Sequence, residues 1–479
     1  MANTVRKTSV TEMAGIGLLQ GISLYALTTP AAKAQLSGMS AVLWMTCWTA
    51  VVLVPLLCYF TENLLGLSRL RRVAIVAGLG FVIPVMLTTE YTVLRQREFI
   101  QSSYAPLLTA AVWSFIGVPL LAHLRHSPRV ARRLHPAYEV QGAARPQARA
   151  QGWHWPYADL FQTTWRNTIA FFTALVLGGI GLAALALVAV ACRLVGLGVV
   201  GQILFEPPVL VSAYATLYGA AMGLVLKQQT WLIAARRFLL SGRNLLPLSL
   251  AVLFGCEVWR YRTDMPVLAA GYTTAVILAG LLMFMVVRTN THYLDGLEVE
   301  APSPRVRKFL VAAWMAAMVA LGVIALLLVR LVLQDGWSAD RVWAAFLWAL
   351  AAGCVVGYGL SMFRREQGWM WSVAPTNIAM GGVLCAGMFL LATPFADARS
   401  IAAQDQIQRL LDGDAPADHF DYVRLAREND RYGRDALKYL SQVDPKHPHA
   451  AHIIAGANAA LDKTTTADTS EFSDRSSRR

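Results

Sequence analysis

Charge is scarce in this chain. Asp, Glu, Lys and Arg make up 15% of its 479 residues, against 56% apolar. A soluble domain carries about 25% charged residues, so most of this chain is not built for water. Cysteine is scarce too. Cys47, Cys58, Cys192, Cys256, Cys354 and Cys385 form no C-x-x-C pair, and none falls beyond residue 395. That excludes a disulfide framework and a zinc knuckle, and leaves them as small apolar residues. No H-E-x-x-H, G-x-x-x-x-G-K-[ST] or G-x-S-x-G is present, so nothing points to a zinc protease, a P-loop pump or a hydrolase elbow. Gly196-Leu-Gly-Val-Val-Gly201 has the spacing of a dinucleotide fingerprint, but no strand–turn–helix unit surrounds it. His123 and His126 flank Arg125 in a basic loop, and His447 and His449 flank Pro448 in a solvated turn. The sequence therefore calls for no metal, no cofactor and no catalytic residue.

What is present is repetition. Apolar runs recur from Ala14 to Phe395, each near the roughly 20 residues that cross a bilayer as a helix with its backbone satisfied internally. About 11 spans are expected, at 14–30, 39–60, 73–90, 104–124, 169–192, 207–226, 245–261, 265–287, 309–333, 341–362 and 377–395. The expected fold is all-α: a polytopic transmembrane helix bundle with a small helical carboxyl-terminal domain. Residues 1–395 form the membrane domain, with an inner basic and aromatic segment at 124–168. Residues 396–461 form a soluble tail of amphipathic helices, and 462–479, rich in Ser, Thr and Arg, read as a disordered end. In the tail, Ser400–Leu411, His419–Asn429, Arg434–Val443 and Ala450–Leu461 carry helical patterns. Tyr422, Leu425, Ala436, Leu437 and Leu440 suggest one helical hairpin, faintly tetratricopeptide-like.

The formal charge of +13 is uneven. The tail holds about 12 basic and about 14 acidic residues, so the excess sits in the membrane domain's loops. A pI near 9.7 reflects the positive-inside rule rather than nucleic acid. With the amino terminus inside, inner loops collect about 22 Lys/Arg and outer loops about eight. This predicts a multi-pass membrane protein with its amino terminus inside, its tail outside, and anionic lipid against its inner basic loops. Lys227 to Asn244, with Trp231, Leu232 and Phe238 beside Arg236 and Arg237, is either an amphipathic surface helix or a plain basic connector.

Gly17/Gly21, Gly219/Gly223 and Gly353/Gly357 are Gly-x-x-x-Gly pairs, candidates for close helix packing, within one copy or between two. Pro55, Pro84 and Pro247 are candidate kinks. The polar candidates lie at span edges. Glu257, Arg260 and Asp264 cluster where the seventh span ends, with Glu257 and Arg260 placed to pair on one helix face. Glu90 closes the third span, and Glu206 precedes Pro207 where a carboxylate would suit the sixth span's dipole. Arg330 lies near the outer end of the ninth span, able to snorkel.

Several stretches resemble one bacterial family. They are Gly17-Leu-Leu-Gln-Gly-Ile-Ser-Leu-Tyr25, Tyr157-Ala-Asp-Leu-Phe-Gln-Thr-Thr-Trp-Arg-Asn167 and His292-Tyr-Leu-Asp-Gly296. The clearest runs from Thr393-Pro-Phe-Ala-Asp through Gln404-Asp-Gln-Ile-Gln-Arg-Leu-Leu-Asp-Gly413, followed by Phe420-Asp-Tyr422 and Arg431-Tyr-Gly-Arg-Asp-Ala-Leu437. Their order and spacing resemble the polytopic membrane proteins catalogued as domain of unknown function 4153. The resemblance implies an integral membrane protein with a helical end. It supplies no activity.

Three readings follow. The first is a non-enzymatic envelope scaffold whose tail meets a protein partner. The second is a transporter or flippase, motivated by many spans and kinking prolines. The third is a membrane-embedded envelope-modifying enzyme, such as a lipid-linked sugar transferase. It ranks lowest, because the first outer loop, Pro30 to Gly38, contains Lys33 and no carboxylate.

Overall fold

A computed structural model of the chain describes residues 9–28, 39–61, 69–94, 104–124, 155–240, 280, 282, 285–287, 289–290, 293, 304–363, 370–393 and 395–477. Among them there is no strand. The first helices are α1 (Val10–Thr28), α2 (Met39–Thr61), α3 (Arg69–Leu94), α4 (Tyr104–Val112) and α5 (Val118–His123). They are followed by α6 (Tyr157–Leu194), α7 (Gly198–Leu204), α8 (Pro207–Lys227) and α9 (Gln229–Leu240). The remainder are α10 (Pro304–Asp335), α11 (Ala339–Phe363), α12 (Val373–Leu391), α13 (Ala398–Leu411), α14 (Tyr422–Leu440) and α15 (Ala450–Ser477).

Six helices among the described residues are long and apolar enough to cross a membrane, the make-up of a multi-pass membrane protein. They are Val10–Leu27, Tyr157–Leu194, Pro207–Lys227, Val311–Asp335, Ala339–Leu360 and Val373–Leu391. Thr46–Thr61 and Leu108–His123 are shorter apolar stretches. The expected span 245–261, with Glu257, Arg260 and Asp264, lies outside the described residues, as does Pro247. Most of 265–287 does too. Apolar side chains face outward along the spans, with Phe172 60% and Leu326 72% exposed. Such a surface is suited to lipid and not to water.

Glycine sets the tightest contacts. A Cβ on Gly17 or Gly219 would overlap the carbonyl of Ala215 or Met13, and one on Gly21 would lie 2.5 Å from the Ser212 Cα. The two Gly-x-x-x-Gly faces of α1 and α8 thus meet each other inside one chain. Gly223 completes the face more loosely. A Cβ there would lie 3.1 Å from the Val10 Cα and 3.2 Å from Met13 Sδ, a tight fit rather than an overlap. Gly353 and Gly357 of α11 receive the side chains of Met380 and Thr376 of α12. α1 begins with a reciprocal capping box: the Glu12 N–H donates to Ser9 Oγ at 3.0 Å, and the Ser9 N–H to Glu12 Oε2 at 3.1 Å.

Between α4 and α5 the chain makes a π-helical turn, Trp113–Gly117. Pro119 has no N–H for the Phe115 carbonyl, so the ladder slips there. Gly117 leaves room for the Trp113 ring, and Trp113 Nε1 donates to the Cys385 carbonyl of α12 at 3.1 Å. Pro55 and Pro84 lie inside the continuous helices α2 and α3.

Antiparallel contacts fix the ends of the bundle. Thr109, early in α4, donates to the Met388 carbonyl late in α12. His123, ending α5, bonds Thr163 near the start of α6 at 3.0 Å. Gly178 and Gly181 of α6 meet Tyr218 and Leu217 of α8, and Gly223, toward the end of α8, meets Val10 at the start of α1. Val10 therefore lies at the end of the bundle opposite the last turn of α12.

Four local expectations change. Glu206 stands at the cap position of α8, but its side chain makes no cap bond, because Pro207 and Pro208 remove the first two N–H groups. His123, expected in a basic loop, is the buried last residue of α5. His447 Nε2 lies 2.9 Å from the Leu411 carbonyl, so this side chain is docked, whereas His449 is exposed as expected. The end expected to be disordered continues α15 to Ser477. Residues 462–477 contain neither Gly nor Pro, so nothing stops a helix that starts on packed Ile453 and Ala457.

Candidate functional site

The tail is not loosely tethered. α13 lies across the Gly336 turn that joins α10 to α11, and its polar face grips that turn's backbone. Asp405 Oδ2 accepts the Trp337 N–H at 2.7 Å. Gln406 Nε2 donates to the Asp335 carbonyl at 2.8 Å and the Trp337 carbonyl at 3.2 Å. Arg409 donates to the Gln334 carbonyl at 3.1 Å and the Leu333 carbonyl at 3.4 Å. A guanidinium at the end of α10 meets both the unpaired carbonyls and the negative end of the helix dipole. Gly336 has φ +76, and a Cβ there would lie 2.5 Å from Asp405 Oδ2. The clasp and the glycine require each other.

The rest of the tail folds on a core of its own, including Leu410, Tyr422, Leu425, Leu437, Leu440 and Ile453. The two helices expected over 419–443 are continuous in α14 except at Asp430, where φ is 48 and ψ is −122. Asp430 and Arg399 pair at 2.8 Å across α13 and α14, holding a conformation that costs a non-glycine residue on the order of 1–3 kcal/mol. Gly433 then lets the second half approach the Leu425 carbonyl. Burial holds the Tyr422 phenol above its ordinary value.

Between the clasped turn and α14 lies a cleft of about 290 Å³. One wall is Asp335, Trp337, Ser338 and Arg341; the other is Gln406, Phe420, Asp421, Arg424, Glu428 and Asn429. Arg341 pairs with Asp335 at 2.7 Å, and Arg424 with Glu428 at 2.7 Å. The Arg424 guanidinium is held above its usual value, first by its hydrogen bond to Glu428 and that carboxylate's charge, then by Asp421 and Asp335. Asp335 belongs to the membrane domain, so the two walls share one field. Asn429 is 4% exposed, donates from Nδ2 to the Leu425 carbonyl at 3.2 Å, and has no partner on Oδ1. An unpaired buried acceptor costs about 1–3 kcal/mol.

A second polar group ties helices together at the opposite end. Asn377 of α12 donates to Asn290 Oδ1 at 2.6 Å and to the Tyr157 hydroxyl at 2.8 Å. Asn290 Nδ2 donates to the Tyr358 hydroxyl at 2.9 Å, and Tyr358 donates to Asn377 Oδ1. Tyr157 also packs against Tyr293 in a tilted pair, their ring centres 5.6 Å apart. Tyr157 and Tyr293, one from each of two stretches that carried the family resemblance, meet here, and the longest stretch supplies the clasp.

Of the polar residues singled out by sequence, Glu90 lies in α3 and Arg330 is exposed near the end of α10, whereas Glu257, Arg260 and Asp264 lie outside the described residues. The Gly196 fingerprint is a turn and the start of α7: Gly196 has φ +84 after α6, and Gly201 packs on Ala189 and Arg193. Among the described residues no group of three or more His, Cys, Asp or Glu could hold a metal. Sequence reasoning passed over Asp405, Gln406, Arg409, Asn377 and Tyr358. Asn377 did leave a signal, an amide inside an apolar run. Compared with known proteins, the chain matches no family model, no curated protein and no solved structure.

Proposed function

We propose that this protein is a non-enzymatic scaffold of the bacterial inner membrane, which holds its helical tail in a fixed pose for a protein partner outside. The observation that carries this reading is the clasp. A tail gripped through Asp405, Gln406 and Arg409 presents a preorganised surface, and preorganisation lowers the cost of binding. The side assignment rests on the basic loops, which follow the ends of α2 and α5 and so lie away from the tail. Membership of the family catalogued as domain of unknown function 4153 is part of the proposal; it rests on the resembling stretches alone, which include the three clasp side chains and Tyr157 of the polar ring.

The test is a photo-crosslinking amino acid in place of Tyr439, which is 58% exposed on α14. A discrete crosslinked protein band in intact cells is expected, weakened in Asp405→Ala/Arg409→Ala. No crosslink at Tyr439 or at other exposed tail positions, with the protein present at normal level, counts against the scaffold.

One observation favours a transporter or flippase as the second reading. The Tyr157–Asn290–Tyr358–Asn377 ring joins helices at one end with neutral groups, as an inner gate would. Asn377→Leu should then raise solute flux or lipid scrambling in reconstituted vesicles; absence of either in wild type and variant removes this reading.

A further inference from the structure

The cleft beneath the tail, about 290 Å³, has a lining that selects by chemistry. Its carboxylates are already engaged. Asp335 holds Arg341, Glu428 holds Arg424, and Asp421 Oδ1 accepts the Arg424 backbone N–H at 2.9 Å. A ligand bearing phosphate, carboxylate or ammonium would meet Asp335, Arg341, Arg424 and Glu428 already neutralised in pairs, and so would gain less from an ion pair with them. A hydroxyl loses nothing by that pairing. An ionised carboxylate keeps acceptor sites for several donors, and a guanidinium has five N–H groups. Hydroxyls that donate to one neighbour and accept from the next match a surface where acids and arginines alternate.

Two further features fit the same ligand. Half-buried aromatic rings line it from both contributing parts of the chain, Trp337 from the α10–α11 turn and Phe420 from the tail. They offer flat apolar surface to a C–H face. Asn429, nearly buried in the wall, carries a buried acceptor with no partner, Oδ1. The volume sits at the small edge of ligand pockets, roughly 300–1,000 Å³, which suits one ring better than a chain.

We propose that this cleft binds one ring of a neutral sugar, held against Trp337 and Phe420 with its hydroxyls on Asp335, Arg341, Arg424 and Glu428. The site is distinct from the protein-facing surface of the tail, since Tyr439 does not line it.

The experiment is saturation-transfer difference NMR on the full-length protein in lipid nanodiscs. The probes are glucose, galactose and N-acetylglucosamine, with glycine and glutamate as charged comparators. Transfer to the ring protons of at least one sugar is expected, with little to either amino acid. Ala415→Trp fills the cleft from a position outside the clasp and should weaken binding tenfold or more. Trp337→Ala, which keeps the backbone groups of the clasp, should do the same without lowering the melting temperature of the tail. Absence of transfer to every sugar overturns the proposal. So does transfer that persists unchanged in both variants, or transfer confined to glycine and glutamate. Sugar binding and Tyr439 crosslinking are read separately, so either can fail alone.

Discussion

Gly336 is the residue on which the tail's position turns. Its φ of +76 is open to glycine at little cost, and its bare Cα lets three side chains of α13 reach the backbone. Gly336→Ala should therefore weaken docking by about 1–3 kcal/mol through strain and overlap. The check is limited trypsin digestion, with cleavage at Arg424 to Arg434 expected to speed up while the membrane core stays intact. Arg330 gives the contrast. It is exposed and lies outside the clasp, so Arg330→Gln should change thermal stability by no more than about 0.5 kcal/mol. A larger loss would mean that the side chain holds something in the membrane.

At the scale of helices, the contact between α1 and α8 makes a sharp comparison possible. Gly17→Leu should prevent that contact, because even a Cβ meets the Ala215 carbonyl, whereas Gly15→Leu faces open space. Fluorescence-detected size exclusion is expected to show aggregated protein for the first and a wild-type peak for the second. The tail has its own signature. Tyr422 is buried, its hydroxyl donates to the Ala417 carbonyl at 3.2 Å, and its pKa is raised above 10.0 by desolvation. The unfolded state thus loses the proton first. The stability held by the neutral phenol is complete below about pH 10 and falls as pH rises toward the folded value. Tyr422→Phe should flatten the alkaline part of the tail's melting profile; an identical slope in both proteins would sink the argument.

These elements differ in how far the sequence revealed them. Membrane helices are legible because lipid imposes one demand, some 20 apolar residues. The glycine pairs are legible because close approach permits little else, although the spacing does not tell the overlap at Gly219 from the looser fit at Gly223. The tail hairpin was legible too: Tyr422, Leu425, Ala436, Leu437 and Leu440 all enter its core. The clasp was not. Asp405, Gln406 and Arg409 form the polar face of an amphipathic helix, and such a face reads as solvated whether it meets water or a backbone. Nor was the cleft, since Arg341 and Glu428 are far apart in sequence and share a pocket only once α13 is docked.

For the whole molecule, the sharpest consequence concerns sides. The chain of antiparallel contacts sets Val10 and the tail at opposite ends of the bundle. Arg69, Arg71 and Arg72 open α3 at the Val10 end, and the basic stretch 125–154 leaves from the end of α5 there. Lys and Arg next to spans stay on the cytoplasmic side. The amino terminus should then be inside and the tail outside. Alkaline phosphatase fused after Leu461 is expected to be active and a fluorescent protein fused there dark, whereas a fluorescent protein ahead of Val10 is bright. The reversed result at both ends would overturn the charge argument but leave the fold intact. Both ends on one side would contradict the contacts themselves, and would require the helices to cross the membrane an even number of times. The segment 245–261, where Glu257 and Arg260 interrupt the apolar run, would then be the first candidate for a stretch that lies on the membrane without crossing it.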